Sequence, residues 1–188
     1  MKLKTSTIEQ AMKNVSDGKY NRAELLNLKI NAETYLDENP RIFELLELIS
    51  NTSVPELELE YVFLGYCPGA DLKRRRDTEW IKKGFIDFHF VDSKSQMEKF
   101  EAIHPPDKII LKKREKIGKT MIIHAFGEVT HSNLDKTSGL TNHSVNWKIT
   151  NDPLEVPLLG CNSTVNIRSI KQVDENMPEE FWQWLKVR

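Results

Sequence analysis

The 188-residue sequence has little of what marks several large protein classes. Its two cysteines, Cys67 and Cys161, lie far apart and form no CxxC pair. That argues against a disulfide scaffold or a zinc knuckle and fits a reducing compartment. No stretch approaches the roughly 18 consecutive apolar residues of a membrane-spanning helix. The opening MKLKTSTIEQ also lacks the apolar segment of a secretory signal. The expectation is a cytoplasmic protein with no membrane partner. There is no P-loop, GxGxxG, HExxH or HxH, no internal repeat and no low-complexity tract. Net charge is almost absent too, at −1, so the total says nothing about partners.

The chain does hold enough apolar material for a core, at 39% hydrophobic and 29% charged residues. Its charge is unevenly spread: residues 1–60 carry a net −4 and residues 61–188 a net +3. Within residues 71–119 the balance reaches +5, concentrated in Lys73-Arg74-Arg75-Arg76 and Lys112-Lys113-Arg114-Glu115-Lys116. Runs of this density are an electrostatic footprint for phosphate, although a solvated loop produces the same pattern.

The first third reads as three amphipathic helices. Ser6 and Glu9 have capping-box spacing ahead of Ile8, Ala11, Met12 and Val15, and Gly18 ends the segment. Asn21 and Glu24 repeat that spacing ahead of a stripe of Leu25, Leu28, Ala32, Tyr35 and Leu36. After Asn39-Pro40 a third helix places Ile42, Leu45, Leu46 and Ile49 on one face. Residues 1–52 thus form a helical segment with no candidate catalytic group, and a seam follows at 51–56.

From residue 57 the period changes. Strands are expected at Leu59–Tyr66, Ile86–Val91, Lys108–Lys112, Thr120–Thr130, Asn142–Ile149, Leu154–Leu159 and Thr164–Ile170. A short helix is expected over Asp77–Gly84, with Gly84 ending it. Leu134–Thr141 reads as a polar loop. Pro178 opens a last helix with Phe181, Trp184 and Leu185 on one face, leaving the Trp182 end exposed. Short strands with few intervening helices predict an α+β fold built on a small barrel or sandwich.

The five histidines, His89, His104, His124, His131 and His143, show no metal-ligand spacing, and no cofactor is expected. Cys67 and Cys161 read as buried, inert thiols. The aromatics near the basic runs are more suggestive. Tyr66, Trp80, Phe85, Phe88 and Phe90 surround the first run, and rings beside a cationic rim can hold an unstacked base while gripping its phosphates. Phe63, Phe90 and Phe126 are expected in the core.

The order of segments over residues 57–170 resembles the PUA-like superfamily, in its EVE and YTH-related branch, as in the DNA-reading arms of McrBC-type modification-dependent restriction systems. The resemblance rests on LEYVFLG at Leu59–Gly65, DTEWIKKGFID at Asp77–Asp87 and PDKIILK at Pro106–Lys112. TMIIHAFGEVT at Thr120–Thr130 and HSVNW at His143–Trp147 complete it. Two departures stand out: Pro106 replaces a glycine, and Phe85-Ile86 follows Gly84 where the family has a tryptophan.

The resemblance implies a PUA-like, partly open β-barrel with flanking helices over residues 57–188, preceded by the short N-terminal helical segment. It implies binding of DNA or RNA, with a modified or flipped base in a pocket of Tyr66, Trp80, Phe88 and Trp147. Phosphate would meet Lys73, Arg74, Arg75, Arg76, Lys112, Lys113 and Arg114. A role in defence or in RNA or DNA modification follows from the same likeness, without catalysis. Two alternatives stay open. One is a protein-interaction subunit that docks a partner through residues 1–52; the other is a metal-dependent nucleic-acid or nucleotide hydrolase.

Overall fold

The computed structural model describes residues 5–37, 39–52, 59–67, 75–87, 93–116, 118–135 and 140–186, with backbone alone at 116, 134, 135 and 140. The chain divides into two compact units, Met1–Glu58 and Leu59–Arg188. No helix among the described residues is long and apolar enough to cross a membrane.

The first unit comprises α1 (Thr5–Ser16), α2 (Arg22–Glu33) and α3 (Arg41–Asn51). The apolar stripes meet in one core of Ile8, Val15, Leu25, Ala32, Ile42, Leu45 and Ile49. Asn21 caps α2 through the expected box, its side chain accepting the Glu24 amide at 2.9 Å while Glu24 accepts the Asn21 amide at 3.1 Å. The box expected at Ser6 does not form, because α1 already includes Thr5; Glu9 instead pairs with Arg41 and ties α1 to α3.

The second unit is α+β. A seven-stranded mixed sheet contains β1 (Glu60–Gly65), β2 (Phe85–Asp87), β3 (Lys108–Lys116), β4 (Thr120–Asp135), β5 (Leu140–Ile149), β6 (Leu154–Pro157) and β7 (Val165–Ser169). Its order is β2-β5-β4-β3-β1-β7, with β6 pairing β4 where β5 stops, and it is not closed. Four helices accompany it: α4 (Asp77–Lys83), α5 (Lys94–Glu101), α6 (Ile170–Asn176) and α7 (Glu179–Lys186).

β1 runs parallel to β3 and antiparallel to β7. It is buried from Glu60 to Leu64, which explains its near-continuous apolar run. One core packs Tyr61, Phe63, Ile110, Met121, Ile123 and Phe126 against Val173, Met177, Phe181 and Trp184 of α6 and α7. Trp182 is not a free end: its ring meets Tyr61 edge-on at 6.2 Å. α5 touches strands that stand far apart in the sheet order. Gln96 accepts the Val165 amide of β7 at 2.6 Å, while the Phe100 ring lies 4.7 Å from the His143 ring of β5. Four strand spacings in a flat sheet would be roughly 19 Å, whereas Gln96 and Phe100 are one helical turn apart. The sheet therefore curls toward α5.

Several boundaries differ from the sequence reading. β4 and β5 each run two residues into the expected polar loop Leu134–Thr141, and its middle, 136–139, lies outside the described residues. α5 escapes a periodicity reading because Phe100 is its one buried residue. α6 begins where a strand was expected to end, at a Ser169–Gln172 capping box present in the sequence. Gly84 ends α4 as expected, at φ +71°. The expected strand Ile86–Val91 is β2 as far as Asp87; its remainder, with Phe88, His89 and Phe90, lies outside the described residues.

Candidate functional site

The side chains nominated from sequence do not share one fate. Trp80 is a correction: its indole is 0% exposed, with Nε1 donating to Asp87 Oδ1 at 2.7 Å, so neither face is open to a base. Lys112 is another. It is 3% exposed and donates to the carbonyls of Cys161 and Ser163, each at 2.6 Å. Burial pulls its ammonium down to about 8. That lysine closes the Leu158–Ser163 turn rather than meeting a phosphate. Cys161 is buried as expected, and burial pushes its thiol up; Cys67 is part-exposed. Lys73, Arg74 and Phe88 lie outside the described residues.

Trp147 is half-buried. It pairs with Gly127 across β4 and β5, and its Nε1 donates to the Trp80 carbonyl at 3.2 Å. A Cβ at Gly127 would lie 2.9 Å from the Trp147 ring and 2.5 Å from Val145. The glycine thus lets the indole lie flat on the strand.

Tyr66, Arg75 and the end of β3 do come together. The parallel register of β1 and β3 stops at Gly65 beside Lys112, so Tyr66 leaves the sheet next to the second basic run. The Arg76 amide donates to the Tyr66 carbonyl at 2.9 Å and draws the first run to the same place. The Arg75 guanidinium lies 5.5 Å from the centre of the Tyr66 ring. Glu115 of β3 is close enough to act on the Tyr66 hydroxyl, which burial, foremost, pushes up. Alternation sends Lys113 to the opposite side of β3 from Lys112; Lys113 is half-buried and Arg114 exposed.

The arginines are held by acids on and after α4. Arg75 Nε donates to Asp77 Oδ1 at 2.8 Å and its terminal nitrogen to Oδ2, with 48% of its side chain still exposed. Arg76 pairs with Glu79 at 3.2 Å and Asp87 at 3.4 Å. Arg75 is therefore a fixed fork with one edge outward, while Arg76 is largely neutralised. Burial pushes the Asp77 carboxyl up, but Arg75 and His124 outweigh it and hold the group well below the usual carboxylate range.

His124 is the functional candidate that sequence reasoning missed. It is 6% exposed and stands in a β-bulge: Leu111 pairs with Ala125 and Lys112 with Ile123, leaving 124 unmatched on the β3 side. On the other edge β6 ends opposite Ile123 and β5 opposite Phe126, and the Asp152 amide bonds the His124 carbonyl at 3.0 Å. The ring meets Tyr66 edge-on at 4.6 Å. Nε2 is 3.0 Å from Asp77 Oδ2, yet neither ring nitrogen makes a directed hydrogen bond. The Asp77 contact is a close carboxylate–imidazole pair, and no hydroxyl or thiol among the described residues hydrogen-bonds the His124 ring. No group of three or more metal-ligating side chains occurs among the described residues. Bulge and partner both depend on register and tertiary packing, so no local spacing could have flagged this histidine.

On the first unit, Phe43 is 62% exposed between α3 positions whose neighbours Glu44 and Glu47 are also exposed. No protein-family model, curated protein or solved structure matches the chain.

Proposed function

We propose that residues 59–186 form a nucleic-acid-binding module of the PUA-like type, its curled, open sheet being the partly open barrel of that superfamily. The observation that carries this reading is the convergence of both basic runs on one aromatic ring. Tyr66 has Arg75 across its face and the Arg76 amide on its carbonyl, and it leaves β1 where Gly65 pairs with Lys112 at the start of the second run. An arginine oriented by a buried carboxylate loses less freedom on meeting a phosphate than an unrestrained one. Phosphate contacts from Arg75, Lys113 and Arg114 supply affinity, and Tyr66 and the open part of Trp147 offer ring surface to a flipped or modified base.

The test is fluorescence anisotropy with single-stranded DNA, duplex DNA and RNA over a salt series. Binding weakens steeply with salt, and the double variant Lys113→Ala/Arg114→Ala lowers the slope of log K against log salt by about one to two. Absence of binding to all three probes, or binding indifferent to salt, overturns the assignment.

A further inference from the structure

Resting on that reading, we propose that His124 is a positioning residue that couples anion binding at Arg75 to proton uptake, with Asp77 as the shared link. Asp77 is 2% exposed; Arg75 Nε donates to its Oδ1 at 2.8 Å and the Arg75 terminal nitrogen to its Oδ2, the same oxygen that stands 3.0 Å from His124 Nε2. With His124 neutral, the carboxylate is compensated by Arg75 alone, and the three side chains sum to zero charge. With His124 protonated the sum is +1, the carboxylate is shared between two cations, and more of the Arg75 charge is available to a phosphate. An anion at Arg75 therefore favours the protonated imidazole, and by reciprocity protonation favours the anion.

Asp77, the first residue of α4, faces the ring with Arg75 on its far side, and Tyr66 faces the ring from the end of β1. Cys67 and Glu115 act one residue further out, on Arg75 and Tyr66. The β5–β6 connection contributes only the backbone amide of Asp152. The ring stands 3.0 Å from a carboxylate inside the fold, and imidazole is the side chain whose charge changes nearest neutrality.

The experiment uses the full chain and a mixed-sequence single-stranded DNA of about twelve nucleotides, with its RNA counterpart. Affinity is measured from pH 7.5 to 5.5, and proton exchange by calorimetry in two buffers of different ionisation enthalpy. Wild-type protein binds about fivefold more tightly at the acid end and takes up protons, whereas His124→Gln binds with no such gain and no uptake. In the wild-type chain, added oligonucleotide at pH 6.5 shifts the His124 Cε1–H resonance toward its protonated position, a readout needing no variant. Equal pH dependence in wild type and variant, or a resonance that does not move, overturns the coupling and leaves the binding module standing. Failure of wild-type protein to bind either probe overturns the module itself.

Discussion

His143 and His124 are both enclosed imidazoles of the same sheet, and they are treated in opposite ways. His143 on β5 is 0% exposed, with Nε2 on the Phe100 carbonyl at 2.9 Å and Nδ1 on the Ser132 hydroxyl at 2.8 Å. Burial holds it neutral, down to about 4. His124 is almost as enclosed, but it has a carboxylate beside it and no directed hydrogen bond. Burial by itself therefore does not distinguish a fully bonded histidine from one that only faces a carboxylate. Satisfaction of its nitrogens does, since a fully bonded ring must break contacts before its charge can change.

The comparison is sharpened first by acid. The free imidazole of the unfolded chain takes up a proton near pH 6.5, but His143 in the fold resists until about 4. Its contribution is complete above pH 6.5 and is lost as pH falls through that window, amounting to about 3 kcal/mol. Urea unfolding of His143→Gln at pH 7 and pH 4 should lack that part of the wild-type loss. If the variant's acid sensitivity equals that of wild type, His143 is not the locked group.

Lys112 and Lys113 of the second basic run give a parallel contrast of somewhat smaller size. Lys112 is pulled down to about 8 by burial, so between pH 8 and about 10.5 the unfolded chain holds the proton that the fold has lost. Stability rises with pH through that window. Relative to Lys112→Met, wild type should gain about 2 kcal/mol between pH 7 and 10, read from paired urea titrations. A constant gap would mean that the ammonium is not desolvated.

The smallest effect separates the same lysines in binding. Replacing part-exposed Lys113 by Ala should weaken oligonucleotide binding about threefold and flatten its salt slope by about one. Lys112→Met should leave that slope unchanged, since its charge is spent on the Cys161 and Ser163 carbonyls. A slope change at Lys112 instead of Lys113 would reverse their roles.

How far each feature could be read along the chain depended on the distance over which its cause acts. The Asn21–Glu24 box, the Gly84 stop and the stripes of α1 and α3 depend on neighbours within a turn and stand where the periodicity puts them, whereas α2 ends before Tyr35 and Leu36 of its expected stripe. The Ser169–Gln172 box was equally local, but it followed an apolar strand and was absorbed into it. Trp80 and Lys112 were misassigned because an aromatic or basic residue beside a charged run looks the same whether it faces solvent or core. His124 carried no signal, for Asp77 is its neighbour only after α4 packs onto the sheet and the bulge turns the ring toward it.

The amino-acid order alone determined the helical first third, the β-rich remainder and the two clusters of positive charge, because hydrophobic period and composition act through short-range backbone preference and burial. Tertiary structure decided which cations remain outward, which indole is sealed and which imidazole stands beside a carboxylate. Those outcomes depend on strand register and on the side of the sheet each residue occupies, and one residue of register separates Lys112 in the interior from Lys113 at the surface.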